Sequence, residues 1–416
     1  MLRLLQAVMA SFVTVGRLDM AWPDGTLSHL GGRIGGPSAT VNLTTMSAVR
    51  RILLDPALAI GECYMDATLI PVGCTIYDVL DVLLANIEAG RDDPPVMLRM
   101  RRLGQTLTRR IAQHNQCDRA RRNVAHHYDI DGRIYDLFLD QDRQYSCAYF
   151  PRGDETLDEA QAAKKALIAR KLVLDQPNLE VLDVGCGWGG LALTLARDHG
   201  ARVTGITLST EQLAIARARA AAEGLADRVR FEHADYRTMD QPFDRIVSVG
   251  MFEHVGVGHY GAFFDVVRRS LRPAGVGLLH SIGRADGPAA TNPWFAKYIF
   301  PGGYSPALSE ALAPLEPRGL FVTDIEILRL HYARTIAIWR ARFETARERV
   351  IQTHDARFFR MFQFYLAASE LAFRRQNHMV FQIQFARRQD AVPLTRDYLA
   401  PTEAPLRQDN VMHAAD

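Results

Sequence analysis

Cysteine is scarce in this chain: five in 416 residues, at positions 63, 74, 117, 147 and 186. The number is odd and no C-x-x-C spacing occurs, so neither a disulfide framework nor a zinc site is expected, and a reducing cytoplasm is the expected setting. No apolar run is long enough to cross a bilayer, so membrane contact is expected to be peripheral. The opening MLRLLQAVMASFVTV is interrupted by Gln6, Ser11 and Thr14 and is followed by no small-residue cleavage site; an amphipathic helix is expected there, not a signal peptide. Internal repeats and low-complexity tracts are also missing. With 49 basic against 47 acidic residues the net charge is only +2, which selects no partner.

Charge is nonetheless unevenly spread. Between Met97 and Arg122 there are eight arginines and one acid, Asp118, with Leu98, Leu103, Leu107 and Ile111 at roughly helical spacing. Such a segment reads either as a solvated linker helix or as a surface for anionic lipid headgroups, each near-surface arginine being worth about 1 kcal/mol. No nucleic-acid-binding module accompanies it, so nucleic acid is not expected as a partner. Pro94 and Pro95 precede the stretch and suggest a boundary. The expected division is an N-terminal α/β domain over residues 1–95, a basic helical linker over 96–122, a catalytic domain over 123–395 and a tail over 396–416. With 48% hydrophobic residues the chain can fill two cores.

The second region alternates strand-like and helix-like segments. LEVLDVG, ARVTGIT, RVRFEHA, FDRIVSVG and VGLLHSI read as strands, with LALTLARDHG and EQLAIARARAAAEG as helices between them. A parallel sheet with helices on both faces follows, and LFVTDIEIL and MVFQIQFAR are candidates to close it.

Where the first of these strands ends, the chain reads Asp183-Val184-Gly185-Cys186-Gly187-Trp188-Gly189-Gly190. Glycines there let backbone approach a ligand closely. The spacing is D-x-G-x-G-x-G, one residue shorter at the end than a dinucleotide turn. Gln212 stands after the second strand where an acidic ribose partner is usual, and Asp235 after the third, where a carboxylate can accept from an adenine amino group. Together these favour S-adenosylmethionine over NAD, with Asp183, Gly185, Gly187 and Gly189 expected among its contacts. Cys186 reads as a small packing residue under the cofactor. His126 and His127 are adjacent and therefore diverge, so no metal is expected.

Taken in order, QYSCAYF, VLDVGCGWGG, GITLSTEQ, MFEHVG, LLHSIG, YIFPGGYSP and HYARTIAIW resemble the cyclopropane fatty acid synthases, a family that includes the mycolic acid cyclopropane synthases. The resemblance covers nearly the whole chain, and GRLDMAWPDG and IGECYMD resemble the N-terminal domain of the phospholipid enzymes. It implies a class I S-adenosylmethionine-dependent methyltransferase (Rossmann-like) domain with a smaller N-terminal α/β domain. The reaction implied is transfer of a methyl group to a cis double bond of phospholipid acyl chains, then proton loss and ring closure. Bicarbonate is the implied proton acceptor, with Cys147, Glu253, His280, Ile282 and Tyr332 as its pocket and Cys147 serving through its amide, not as a nucleophile. Cofactor contacts are expected from Tyr145, Ser146, Asp183, Gly185, Gly187, Gly189, Thr207, Leu208, Gln212, Asp235 and Tyr236. Tyr149, Phe150, Trp294, Tyr298 and Phe300, with Tyr145 and Tyr332, are expected to stabilise the cation or line an acyl channel. A lid is expected around Arg284 to Pro306. A homodimer attached to the inner face of the membrane is also implied.

Two departures from the family pattern stand out: Asp129-Ile130-Asp131-Gly132 where glycine and asparagine are typical, and Ser369 where some members place cysteine. Two other activities compete with ring closure. One is methylation that stops at a branched chain; the other is a lipid-binding module on a degenerate methyltransferase fold.

Overall fold

A computed structural model of the protein describes residues 1–32, 36–90 and 132–400. The arginine stretch, Cys117, His126, His127 and Asp129 to Asp131 lie outside the described residues, as does the tail beyond residue 400.

The opening residues form α1 (Leu2–Phe12), and only Leu5 of this helix is buried. Three short strands follow, β1 (Arg17–Ala21), β2 (Leu27–Gly31) and β3 (Ser38–Leu43), each alternating buried and exposed side chains as a half-buried sheet requires. Then come α2 (Met46–Leu54), α3 (Pro56–Met65), β4 (Leu69–Pro71) and α4 (Ile76–Ala89). The sheet order is β2-β1-β3-β4. Thr75 and Asp78 close a capping box at the start of α4, which satisfies backbone donors that would otherwise be orphaned.

Residues 132–400 build a seven-stranded sheet. Its strands are β5 (Glu180–Val184), β6 (Arg202–Thr207), β7 (Val229–His233), β8 (Phe243–Val249), β9 (Leu271–Arg284), β10 (Phe321–Ile327) and β11 (His378–Ala386). Their order is β10-β11-β9-β8-β5-β6-β7. The expected parallel core is present in β5 to β9, and the two candidate closing segments extend it as β10 and β11, with β11 antiparallel to both neighbours. Around the sheet lie α5 (Leu157–Lys171), α6 (Gly190–His199), α7 (Thr210–Ala222) and α8 (Tyr260–Ser270). After β9 come α9 (Pro293–Tyr298), α10 (His331–Thr345) and α11 (Ala356–Arg375).

One hydrophobic cluster runs through both parts of the molecule, from Leu5, Met65 and Val82 to Trp294, Trp339 and Phe364. Trp294, on α9 within the expected lid, is fully buried; its indole Nε1 faces Met65 Sδ at 3.3 Å. A side chain at Gly61 would meet that indole at 2.4 Å, so the glycine makes the slot. Glu62 reaches across the same boundary, accepting from Lys297 Nζ at 2.7 Å and Tyr298 hydroxyl at 2.8 Å. Trp294 is therefore committed to packing on α3, and the expectation that it faces a reacting cation is corrected: its ring already has a full set of neighbours.

Candidate active site

The β5 strand is buried along most of its length and delivers the chain into a turn of three left-handed glycines, Gly185, Gly187 and Gly189, with φ of 85°, 53° and 86°. The amides of Gly185 and Cys186 both donate to the Ile206 carbonyl at 3.0 Å, which pins the turn to β6. A side chain at Gly187 would enter open space, so this glycine presents bare backbone. Gly189 differs. It starts α6, and a Cβ there would strike the Phe231 ring at 2.6 Å. Gly189 does not line the cleft, and Phe231 closes the space a side chain there would need.

A cleft partly open to solvent crosses the ends of β5 to β8. Of the expected cofactor residues, Tyr145, Ser146, Asp183, Gly185, Gly187, Thr207, Leu208, Gln212, Asp235 and Tyr236 line it. Gln212 is oriented by Thr207, whose hydroxyl donates to Gln212 Oε1 at 3.0 Å, leaving the amide nitrogen as the ligand-facing donor. Ser209 caps α7 through the Gln212 amide. Asp235 already accepts from the Arg237 backbone at 3.0 Å and from its guanidinium at 2.8 and 2.7 Å. Asp183 is buried with Oδ2 lacking a hydrogen-bond partner among the described residues, and burial pushes its carboxyl up to about 7 against the pull of Lys164.

Lys164 was not foreseen. It lies on α5, is 1% exposed and lines the cleft, donating to Gln144 Oε1 at 2.6 Å and Ser146 Oγ at 2.9 Å. A signal existed: Leu157, Gln161, Lys164, Ile168 and Lys171 fall at helical spacing and are all buried.

Cys147, Glu253, His280, Ile282 and Tyr332 stand behind this cleft, outside its lining. Their neighbours Ser146, Gly250 and His254 do line it, and the Gly250 amide donates to the His280 carbonyl. Glu253 follows β8 and is fixed by the Ile282 amide, which donates to Oε1 at 2.6 Å; Oε2 has no hydrogen-bond partner. Burial pushes this carboxyl up to about 7 against the stabilising amides around it. His280 lies across β9 and β11 from Gln382, whose Nε2 donates to Nδ1 at 3.0 Å and so leaves the proton on Nε2. Burial, with Lys164 and Lys171 nearby, lowers the imidazole to about 3, and the ring is neutral at neutral pH. The Cys147 thiol donates to the Ala148 carbonyl at 3.3 Å, and burial drives it well above its ordinary value. Tyr332 packs edge-on against Trp339 and beside Phe373.

Ile282 was expected to touch the anion itself. Its amide donates to Glu253 Oε1 and its carbonyl accepts from the Ser281 hydroxyl. Among the aromatics, Tyr145 lines the cleft, stacks on Trp339 at 5.3 Å and shares a 2.5 Å hydrogen bond with the Tyr365 hydroxyl. Tyr149 and Phe150 pack on the His331 ring. Phe300 packs edge-on to Tyr365.

The strand order and the glycine turn after β5 define a class I methyltransferase fold, with its cleft across the strand ends. The chain belongs to the mycolic acid cyclopropane synthetase family, whose model matches residues 115–383. It is 35% identical over 362 residues to the cyclopropane-fatty-acyl-phospholipid synthase of Escherichia coli K12, covering 87% of this chain and 91% of that one. It is also 42% identical over 260 residues to a probable fatty acid methyltransferase of Pseudomonas putida, covering 61% of this chain and 66% of that one. Among solved structures, the mycolic acid cyclopropane synthase CmaA1 complexed with SAH and CTAB superposes with a TM-score of 0.60 at 34% identity, covering 64% of this chain and 97% of that one.

Proposed function

We propose that the protein is a cyclopropane-fatty-acyl-phospholipid synthase. It transfers the methyl group of S-adenosylmethionine to one carbon of a cis double bond, leaving a cation on the other. Loss of a proton from the new methyl then closes the ring, and S-adenosylhomocysteine is released. The observation that carries this reading is the buried Glu253, whose Oε1 accepts from the amide of Ile282, two residues along β9 from a neutral His280, and whose Oε2 has no hydrogen-bond partner among the described residues. Simple methyl transfer to a heteroatom needs no buried carboxyl of this kind. The E. coli relative supports the phospholipid substrate, and the SAH complex of the mycolic acid enzyme supports the cofactor.

An isolated alkene is a weak nucleophile, so the site has to align it and keep water out. Tyr145 offers an aromatic face at the cleft, and burial keeps its hydroxyl protonated, so it stabilises a cation without trapping it. His280 is unprotonated and adds no positive charge beside a developing cation. Bicarbonate, when bound, would supply the base for the departing proton. The donor set suits such an anion: Glu253 Oε2 accepts from its hydroxyl, and the His280 Nε2–H and Tyr332 hydroxyl are donors of the right type.

Peripheral attachment to the cytoplasmic side of a membrane belongs to the same proposal. Among the described residues no helix is long and apolar enough to cross a bilayer. Met1, Leu4 and Val8 are exposed at helical spacing on α1, and the arginine stretch offers complementary charge to anionic headgroups. The division at residues 95 and 122 and a homodimer are part of this reading.

The test is incubation with S-adenosylmethionine and vesicles of cis-unsaturated phospholipid, then mass spectrometry and proton NMR of the acyl chains. An added methylene with upfield ring protons and no olefinic protons is the expected result. The same mass with a surviving double bond would make the protein a methyltransferase like the P. putida relative. No addition would overturn both readings.

A further inference from the structure

Among the described residues, three cationic side chains line the cleft: Arg143, Lys164 and Arg237. Two of them are already neutralised. Arg143 pairs with Asp136 at 2.6 Å, and Arg237 with Asp235 at 2.7 Å. Lys164 makes no ion pair among the described residues; its Nζ touches only the neutral oxygens of Gln144 and Ser146. The adjacent Asp142 is compensated from elsewhere, by Lys165 and Arg219. Asp140, the other nearby carboxylate, accepts the backbone amides of Asp142 and Gln144.

An ammonium 1% exposed, with only neutral oxygens in hydrogen-bond contact and Asp140 and Asp142 acting on it from farther off, is costly, and native proteins bury such a charge where a ligand completes it. Its place in the cleft says which part of the ligand. Gln212 and Asp235 occupy the ends of β6 and β7, where ribose and adenine are expected. Lys164, Ser146 and Asp183 gather on the β5 side, where the amino-acid tail is left to be held, and Asp183 Oδ2 is unpartnered there.

We propose that Lys164 is the cation that recognises the α-carboxylate of S-adenosylmethionine, together with the Ser146 hydroxyl, while Asp183 Oδ2 accepts from the α-ammonium. The inference rests on the reading that the cleft holds S-adenosylmethionine. Gln144 sets the geometry: its Nε2 donates to Asp142 at 3.0 Å, which turns Oε1 toward Lys164 and fixes the ammonium over the cleft. Burial lowers the Lys164 ammonium to about 8, so it is charged at neutral pH and is stabilised further when a carboxylate arrives.

The test separates tail recognition from support of the loop. Calorimetric titration of wild type and Lys164→Met uses S-adenosylhomocysteine and 5′-methylthioadenosine, which shares the nucleoside and thioether but has no amino-acid tail. The expected result is a loss of about tenfold to a hundredfold in affinity for S-adenosylhomocysteine, with methylthioadenosine binding unchanged within about twofold. Equal weakening of both ligands would assign Lys164 to structure alone and overturn the inference, as would unchanged binding of both. A wild-type measurement guards against a variant that does not fold: the 15N resonance of the Lys164 side chain shifts with S-adenosylhomocysteine and not with methylthioadenosine. The same shift with both, or with neither, would sink the idea. If wild type binds neither compound, the cofactor reading itself fails, and that outcome is distinct.

Discussion

At the scale of single residues, the site stores its tension in Glu253. In an unfolded chain this carboxyl titrates near its ordinary value of 4.5, whereas burial in the folded protein holds it at about 7. Between those values the folded state binds the extra proton, so stability falls as pH rises from about 4.5 to 7 and the full cost, on the order of 3 kcal/mol, is present above 7. Glu253→Gln keeps the oxygen that accepts from Ile282 and removes the charge. Thermal melting is therefore expected to show Glu253→Gln more stable than wild type at pH 8 and nearly equal at pH 4.5, while ring formation is lost. A variant that melts below wild type at pH 8 would show that the carboxylate is stabilising there. Wild-type turnover is expected to rise with pH through about 7 as Glu253 becomes an acceptor, opposite in direction to the stability.

At the scale of elements, the turn after β5 separates two uses of glycine. Gly189→Ala places a methyl against the Phe231 ring in a left-handed conformation and is expected to cost about 1–3 kcal/mol, read as a lower melting temperature. Gly187→Ala meets open space but shares the left-handed conformation, so it is expected to cost about 1 kcal/mol of stability, less than Gly189→Ala, together with weaker S-adenosylhomocysteine binding in calorimetry. The sequence could not separate these two positions, because the spacing D-x-G-x-G-x-G is silent about Phe231, 42 residues away on β7. The strands themselves were legible: β5 to β8 are rich in β-branched and aromatic residues, β7 alternating apolar with charged, and each is bounded by turns, a pattern that survives without knowing the partner strand. What stayed hidden depends on register. The pairing of His280 with Gln382 comes from β9 lying against β11, and the use of the Ile282 amide by Glu253 comes from a loop folding back on β9. Lys164 was passed over for another reason. A lysine on a helix is ordinarily solvated, and only the burial of its whole face marks it as different.

For the whole molecule, the question is how an enzyme with nearly balanced charge reaches a substrate that stays in a bilayer. Local charge is the proposed answer. Reversal of Arg101, Arg102, Arg109 and Arg110 to glutamate is expected to reduce binding to anionic vesicles in a sedimentation assay, most visibly at low salt where screening is weak. Binding that is unchanged at low salt would remove the arginine stretch from the attachment proposal. Turnover of a short, detergent-dispersed acyl substrate is expected to survive the same changes. The Trp294 slot in α3 has a different consequence, which concerns protein dissection. A fragment beginning at residue 132 would carry an indole, and the Phe364 face beside it, with nothing to cover them. The two halves are thus complementary surfaces first and consecutive sequence second: a chain cut between residues 91 and 131 is expected to remain one particle, and the halves made as separate polypeptides are expected to reassemble.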